Sequence, residues 1–253
     1  MSENGSITHT IKNNISTIEF YHPKGNSLPG ELLSELSLAM KEAADSEDSG
    51  VIILRSRGEK AFCGGASFDE LLAISNMDEG KNFFMGFANV LNAMRTSPKF
   101  IVARVQGKTV GGGVGLAAAA DYTFAHSSAS VKLSELAVGI GPFVVGPAVG
   151  RKIGTSAFAA LATDARSWYD AGWAESNGLF NKVFENINEL DDTVDKLAVD
   201  LASSNPKAMR ELRLILWHST GHWHSTLEQR AEISGRLVLS DFTREFIEEF
   251  KKG

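Results

Sequence analysis

Gln106-Gly107-Lys108-Thr109-Val110-Gly111-Gly112-Gly113-Val114-Gly115-Leu116 is the stretch on which the reading of this chain turns. The apolar run Phe100-Ile101-Val102-Ala103-Arg104-Val105 precedes it, and Ala117 to Ala120 follow it. That order reads as strand, tight turn, consecutive glycines, then a helix of small residues. Glycines at such a junction let a ligand approach bare backbone N–H groups at a helix N-terminus, a place that favours negative charge. The same glycines would also suit a loop packed tightly against its neighbours, and the motif alone leaves both readings open. Two nucleotide-binding motifs fail. A dinucleotide fingerprint starting at Gly111 needs its last glycine where Leu116 stands, and a P-loop ending in Gly107-Lys108-Thr109 needs a glycine where Val102 stands.

A second junction lies upstream. Val51-Ile52-Ile53-Leu54-Arg55-Ser56 is a short β-branched strand, and Ala61-Phe62-Cys63-Gly64-Gly65-Ala66-Ser67-Phe68-Asp69-Glu70 follows. Ser67 with Glu70 reads as a capping box opening a helix whose apolar stripe begins at Leu71-Leu72. Each junction could aim a backbone N–H at one point.

Around these junctions strands and helices alternate, which implies an α/β fold with crossover connections. Residues 6–21 read as a hairpin turning at Asn13-Asn14. Helical spacing covers 31–44 and roughly 78–95, where Phe83, Phe84, Phe87, Val90, Leu91 and Met94 form the stripe. Residues 100–105, 121–125, 129–133 and 179–183 read as strands. Residues 144–162 read as a helix broken near Gly154-Thr155, and about 188–203 as another. The last 50 residues hold no strand pattern.

Composition narrows the class. The 253 residues suit one large domain with a sizeable core. With 25 basic and 31 acidic side chains the net charge is −6, which disfavours a nucleic-acid platform. The one cysteine, Cys63, allows no intrachain disulfide. No apolar run reaches transmembrane length and Met1-Ser2-Glu3-Asn4-Gly5 lacks a signal-peptide pattern, so a soluble, cytoplasmic protein with no membrane partner is expected.

Taken together, Phe62-Cys63-Gly64-Gly65-Ala66-Ser67-Phe68 and Gly107 to Gly113 resemble the crotonase (enoyl-CoA hydratase/isomerase) superfamily. His22-Pro23-Lys24-Gly25-Asn26-Ser27-Leu28 is similar to its early Pro-x-x-x-Asn-x-Leu turn. Leu133 to Ile140 is similar to its Pro-Glu-x-x-x-Gly segment, and Asp164 to Leu179 to its Ala-x-x-Ala-x-x-x-Gly-Leu-Val segment. Ser240 to Lys252 resembles its closing helix. The resemblance implies a spiral core of β-β-α units carrying an acyl-CoA site over residues 1–195. A helical region over 196–253 would then drive assembly into a homotrimer or dimer of trimers. It also implies an acyl-CoA thioester substrate and no separate cofactor, since coenzyme A belongs to the substrate.

On that resemblance the N–H groups of Ala66 and Gly112 form an oxyanion hole for the enolate-like thioester oxygen. Losing one such donor costs about 2.7–4 kcal/mol of transition-state stabilisation. Gly65, Ser67, Phe68 and Gly111 flank the hole as substrate-binding positions. Lys24 lies where the family often has a basic residue near the nucleotide, and Lys251 or Lys252 where a neighbouring subunit's closing helix supplies a lysine to CoA; for each, a solubilising surface role is the alternative. The family's hydratases use two glutamates. One maps onto Glu135; the other maps onto Gly115 and is missing. One carboxylate can still move a proton between carbons, so the chain resembles the delta-3,delta-2-enoyl-CoA isomerase branch, with Glu135 as catalytic base. The run Val138-Gly139-Ile140-Gly141-Pro142-Phe143 leans the same way, and Phe143 stands where diene isomerases carry an aspartate. An apolar pocket that raised the Glu135 pKa would suit such a base. The alternatives are a hydratase or another crotonase-type lyase or hydrolase and, from a different class, a CoA-binding protein without catalysis.

Other candidates read as structural. Cys63 is a small packed side chain. His218, His222, His224 and Glu228 do not form a metal site, because Gly221 interrupts the helix that would align them, and Ser225-Thr226-Leu227-Glu228 reads as a capping box. Asp164, Asp170 and Glu175 read as surface or capping residues.

Overall fold

The computed structural model describes residues 5–252, with side chains up to residue 249. It opens on an antiparallel hairpin of β1 (Ser6–Lys12) and β2 (Ile15–Tyr21), turning through Asn13 and Asn14 at φ of 52° and 63°. Asparagine tolerates that left-handed backbone, which matches the twist of a two-residue hairpin. β3 (Ser27–Leu28), α1 (Gly30–Asp45) and β4 (Val51–Ser56) follow.

From there the chain spirals. β4 and β5 (Ala61–Cys63), β7 (Ile101–Val105) and β8 (Lys108–Val110), and β9 (Tyr122–His126) and β10 (Ser130–Lys132) are successive strand pairs. The first of each pair enters a six-stranded sheet ordered β1-β2-β4-β7-β9-β12. The second enters a four-stranded sheet ordered β11-β10-β8-β5. β6 (Gly65–Ala66) pairs in parallel with β3. Between the pairs lie α2 (Phe68–Ala73), α3 (Met77–Thr96) and α4 (Gly112–Ala119), and α5 (Glu135–Val138) and α6 (Gly146–Thr163) follow the last pair. α6 contains Gly154 at φ 76°, the break expected there. β11 (Tyr169–Asp170), α7 (Ala171–Ser176), β12 (Lys182–Phe184) and α8 (Ile187–Ala202) complete the α/β core. α9 (Pro206–Trp217), a 3-10 turn at His218–Thr220, α10 (Trp223–Leu237) and α11 (Asp241–Lys252) form the helical end. No described helix is long and apolar enough to cross a membrane.

Three local expectations change. Residues 179–181 are not strand. Leu179 and Phe180 are buried as the C-terminal anchor of α7, both N–H groups bonding the Ala174 carbonyl after Gly178 at φ 79°, so β12 starts only at Lys182. Only half of the Ser67/Glu70 capping box forms. Ser67 Oγ accepts from the Glu70 N–H at 3.4 Å, but the Glu70 carboxylate accepts from the Gly30 N–H at 2.7 Å and ties α2 to α1. Ser225 caps nothing, because α10 has already begun at Trp223; Glu228 instead pairs with Lys81 of α3 at 2.9 Å.

α4 is the centre of the fold, and all eight of its residues are buried. Its small side chains let other elements approach closely. A β-carbon on Gly113 would stand 2.6 Å from Cys63 Cβ, and one on Gly115 would stand 2.6 Å from Val145 Cγ1. The helical end is part of this packing: α10 crosses α3 where Gly80 meets Gly235, a β-carbon on Gly80 coming within 2.6 Å of the Gly235 carbonyl oxygen.

Candidate active site

The site is built by holding two turns and one short helix against each other. Asn26, at φ 56°, fixes the first part. Its amide donates to the carbonyls of Arg57 and Ala61 at 2.8 Å each, and its Oδ1 accepts from the His22 N–H at 2.9 Å. That staples β3 in place, and β3 pairs with Gly65 and Ala66. Gly65 has φ 84°, and a β-carbon on it would lie 2.9 Å from the Val110 carbonyl oxygen and 3.7 Å from the Gly112 nitrogen. The two glycine turns therefore meet directly.

The second part is the turn into α4. Gly111 has φ 52° and ψ −111°, a conformation that demands glycine, and its N–H donates to the Lys132 carbonyl at 2.9 Å. Gly112 heads α4, where the first N–H groups have no partner within the helix. At the other end of α4, Lys152 Nζ donates to the carbonyls of Ala120 and Asp121 at 3.1 Å each. A cation there complements the helix dipole, and burial pushes the Lys152 pKa down to about 8. Neither motif nor periodicity pointed to Lys152.

Glu135 supplies the third part. It follows β10 at the first residue of α5, and its main chain is held by the Ile140 N–H on its carbonyl at 2.9 Å. The residue is half-buried, yet its Oε2 is enclosed and lacks a hydrogen-bond partner. Burial raises the carboxyl pKa to about 7, with a hydrogen bond from its own backbone acting against the rise.

These parts border an inner chamber of about 80 Å³. Gly65, Ala66, Phe68, Gly111, Gly112 and Glu135 all line it. An outer cavity of about 670 Å³ shares Gly64, Ala66, Phe68, Val110, Ser134 and Val138 with it and opens past Lys24, Ser67 and Asp69. Lys24 faces that cavity, but its ammonium is already paired with the Asp69 carboxylate. The side chain of Lys251 lies outside the described residues. Several wall residues carried no local signal of that role, Phe143 being the one that the family resemblance had already placed near the site. Phe84 and Phe87 read only as a core stripe, while Phe143, Val145 and Ser234 reach the chamber from the segment after α5 and from α10.

Glycine serves two purposes along one turn. Gly111 and Gly112 line the chamber, whereas Gly113 and Gly115 are covered by Cys63 and Val145. Cys63 is a buried thiol whose pKa burial pushes up to about 12, so it is a packing residue. Asp170 caps α7 by accepting from the Trp173 N–H at 2.7 Å, and Glu175 accepts from the Val183 N–H at 2.9 Å.

Chemically, the chamber offers a partly protonated carboxylate beside backbone donors at a helix N-terminus, walled by aromatic and aliphatic groups. The family model for enoyl-CoA hydratase/isomerase matches residues 10–250. A short-chain-enoyl-CoA hydratase of Clostridium acetobutylicum is 28% identical over 198 residues, covering 78% of this chain and 75% of that protein. A human mitochondrial methylglutaconyl-CoA hydratase is 33% identical over 196 residues, covering 76% of this chain and 57% of that protein. The crystal structure of an enoyl-CoA hydratase from Bacillus halodurans superposes with a TM-score of 0.86 over 96% of this chain and 99% of that one, at 22% identity. At that identity the likeness speaks for the fold. The matched span covers nearly the whole chain and every part of the chamber described above, so this protein is an enzyme of the enoyl-CoA hydratase/isomerase family, within the crotonase superfamily.

Proposed function

We propose that the enzyme isomerises 3-enoyl-CoA to 2-enoyl-CoA, with Glu135 as its single proton carrier. The observation that carries this reading is the filling of the second carboxylate's position. Gly115 has no side chain, and Val145 occupies the space beside it, with Cγ1 2.6 Å from where a β-carbon would be. A hydration water needs two to four polar partners to be held. Glu135 is the one carboxylate among the chamber's lining residues, and with Val145 beside Gly115 there is no second one to activate a water from the other side, whereas a single carboxylate can still move a proton.

In the proposed reaction the thioester oxygen sits between the N–H groups of Ala66 and Gly112. Glu135 takes a proton from the carbon next to the carbonyl. The electron pair moves through the carbonyl and the neighbouring double bond to give a dienolate, whose oxygen the two amides stabilise. Glu135 then returns the proton to the distal carbon, so the double bond moves and nothing is gained or lost. A base with a pKa near 7 is matched to both halves of that exchange. Gly65 and Gly111 line the chamber beside the hole, Ser67 and Phe68 line the way in, and Lys24 is a cation at the outer cavity offered to the CoA phosphates, a role that the family resemblance gives to Lys251 as well. No separate cofactor is needed. The helical region beyond residue 195 assembles homotrimers or a dimer of trimers. Cys63, a lone buried thiol, is in keeping with a cytoplasmic location.

The test is Glu135→Gln, assayed with 2-enoyl and 3-enoyl thioesters. Proton transfer should fall by about 10²–10⁴-fold while thioester binding persists. Turnover close to wild type would remove Glu135 from the role of base. The relatives' names favour a second reading, hydration by a water on Glu135, which would show as 3-hydroxyacyl-CoA from the 2-enoyl thioester.

A further inference from the structure

Beyond the site residues, the inner chamber is walled by aromatic and aliphatic side chains of this chain's own sequence. Phe84 and Phe87 of α3 stand on one side, and Phe87 covers Gly112 so closely that a β-carbon there would meet its Cε1 at 2.0 Å. Phe143 and Val145 add to the wall from the segment between α5 and α6. That segment is pinned at several points. Gly139 and Gly141 turn it at φ 93° and 86°, and the Phe143 ring folds back over Gly141, 2.7 Å from where a β-carbon would stand. Arg230 of α10 donates to the Phe143 carbonyl at 3.2 Å, and the Gly146 N–H bonds the Pro142 carbonyl at 2.9 Å. The wall is therefore a packed structure rather than a loose flap.

The chamber's volume is about 80 Å³. A dry cavity of about 150 Å³ takes one benzene ring, and a water's share of liquid volume is about 30 Å³. The chamber thus holds roughly half a benzene ring's worth of carbon, about three carbons beyond the thioester carbonyl. The outer cavity, about 670 Å³, is reached past the same Ala66 and Phe68 and leaves room for the long polar arm of the thioester.

We infer that this enzyme acts on short acyl-CoA thioesters, about four carbons long, because Phe84, Phe87, Phe143 and Val145 close the chamber beyond them. The inference rests on the acyl-CoA reading above but not on which double bond moves. Chain length is set by where the wall stands, and Phe143 is the half-buried part of it, the residue whose removal costs the fold least.

The experiment is calorimetric binding of saturated thioesters, butyryl-, hexanoyl- and octanoyl-CoA, to the full-length protein, alongside turnover of unsaturated thioesters of matching length. An open-ended apolar channel would tighten binding about fourfold per added methylene. The closed chamber instead predicts octanoyl-CoA binding at least about tenfold more weakly than butyryl-CoA, the cost of overpacking a filled site. Phe143→Ala should reverse that order, and Val145→Ala, a smaller change, should move it the same way. Affinity rising steadily with chain length in the wild type would overturn the inference, even if isomerisation were found. Short-chain selectivity in binding without isomerisation would uphold it and sink the isomerase reading. Failure of every acyl-CoA to bind would overturn both.

Discussion

The carboxylate of Glu135 lies over the α-carbon of Gly111. A β-carbon there would stand 3.0 Å from Oε1 and 3.3 Å from Cδ of Glu135, so the space any other side chain would claim holds the proposed base. Gly111 also has φ 52° and ψ −111°. Gly111→Ala should therefore cost about 1–3 kcal/mol of stability through backbone strain and lower the melting temperature. It should also reduce kcat far more than it weakens thioester binding, since the carboxylate is displaced and the outer cavity is not. Unchanged kcat in a folded variant would show that Glu135 does not depend on this contact.

Burial raises the Glu135 carboxyl from 4.5 to about 7. Between those values the native state holds a proton that the unfolded chain has released. Its contribution is fully present below pH 4.5 and is lost as pH rises through about 7. The amount at stake is about 3 kcal/mol. Glu135→Gln stays neutral, so the stability of wild type relative to this variant should fall across that window. Activity should run the other way and rise through about pH 7 as the base ionises. A stability difference independent of pH would contradict the raised value.

Gly115→Glu alone should not create a hydratase, because its β-carbon would meet Val145 Cγ1 at 2.6 Å and Cβ at 2.9 Å. We expect that single variant to lose stability. Gly115→Glu with Val145→Ala opens the space and should raise 3-hydroxyacyl-CoA formation relative to isomerisation. Product ratios equal in the single and double variants would remove Val145 as the obstacle.

Gly112 is constrained from the side as well as by its position in the site. A β-carbon on it would come within 2.0 Å of the Phe87 ring. Gly112→Ala should cost about 1–3 kcal/mol by overpacking, and combining it with Phe87→Leu should recover part of that loss. Additive denaturation midpoints would show that the two side chains do not compete for the same space.

Oligomerisation should depend on α9. Leu212, Ile215 and Leu216 are 51%, 66% and 48% exposed and share one face of this short helix, with Leu214, 55% exposed, on another. The apolar positions further on are largely spent inside the subunit: Leu227 and Val238 are buried and Phe246 packs on the core, while Phe242 remains exposed. Light scattering should give a trimer or hexamer for the wild type and smaller species for Ile215→Arg. A wild type that is monomeric at micromolar concentration would sink the proposed assembly.

The elements were largely legible because their signals are local. Asn13-Asn14 fixed a hairpin through backbone preference, β-branched runs fixed β4 and β7, and the phenylalanine spacing fixed α3. Where local reading failed, distant partners had intervened. Leu179 and Phe180 look like strand but anchor a helix end. Glu70 has capping chemistry but turns to Gly30, and Glu228 turns to Lys81.

By itself the sequence determined which groups the site would have to use: glycines at two strand-to-helix turns, and one carboxylate where a pair could have stood. The glycines follow from short-range backbone rules, and the single carboxylate from the resemblance to the family's two-glutamate pattern. Only the tertiary structure decided what surrounds them. It set Phe87 on Gly112 and Val145 on Gly115, brought Ser234 of α10 to the chamber from far along the chain, and enclosed Oε2 of Glu135 without a partner. Burial and distance depend on how remote segments pack, and a carboxyl's pKa or a chamber's length follows from that packing rather than from the order of residues along the chain.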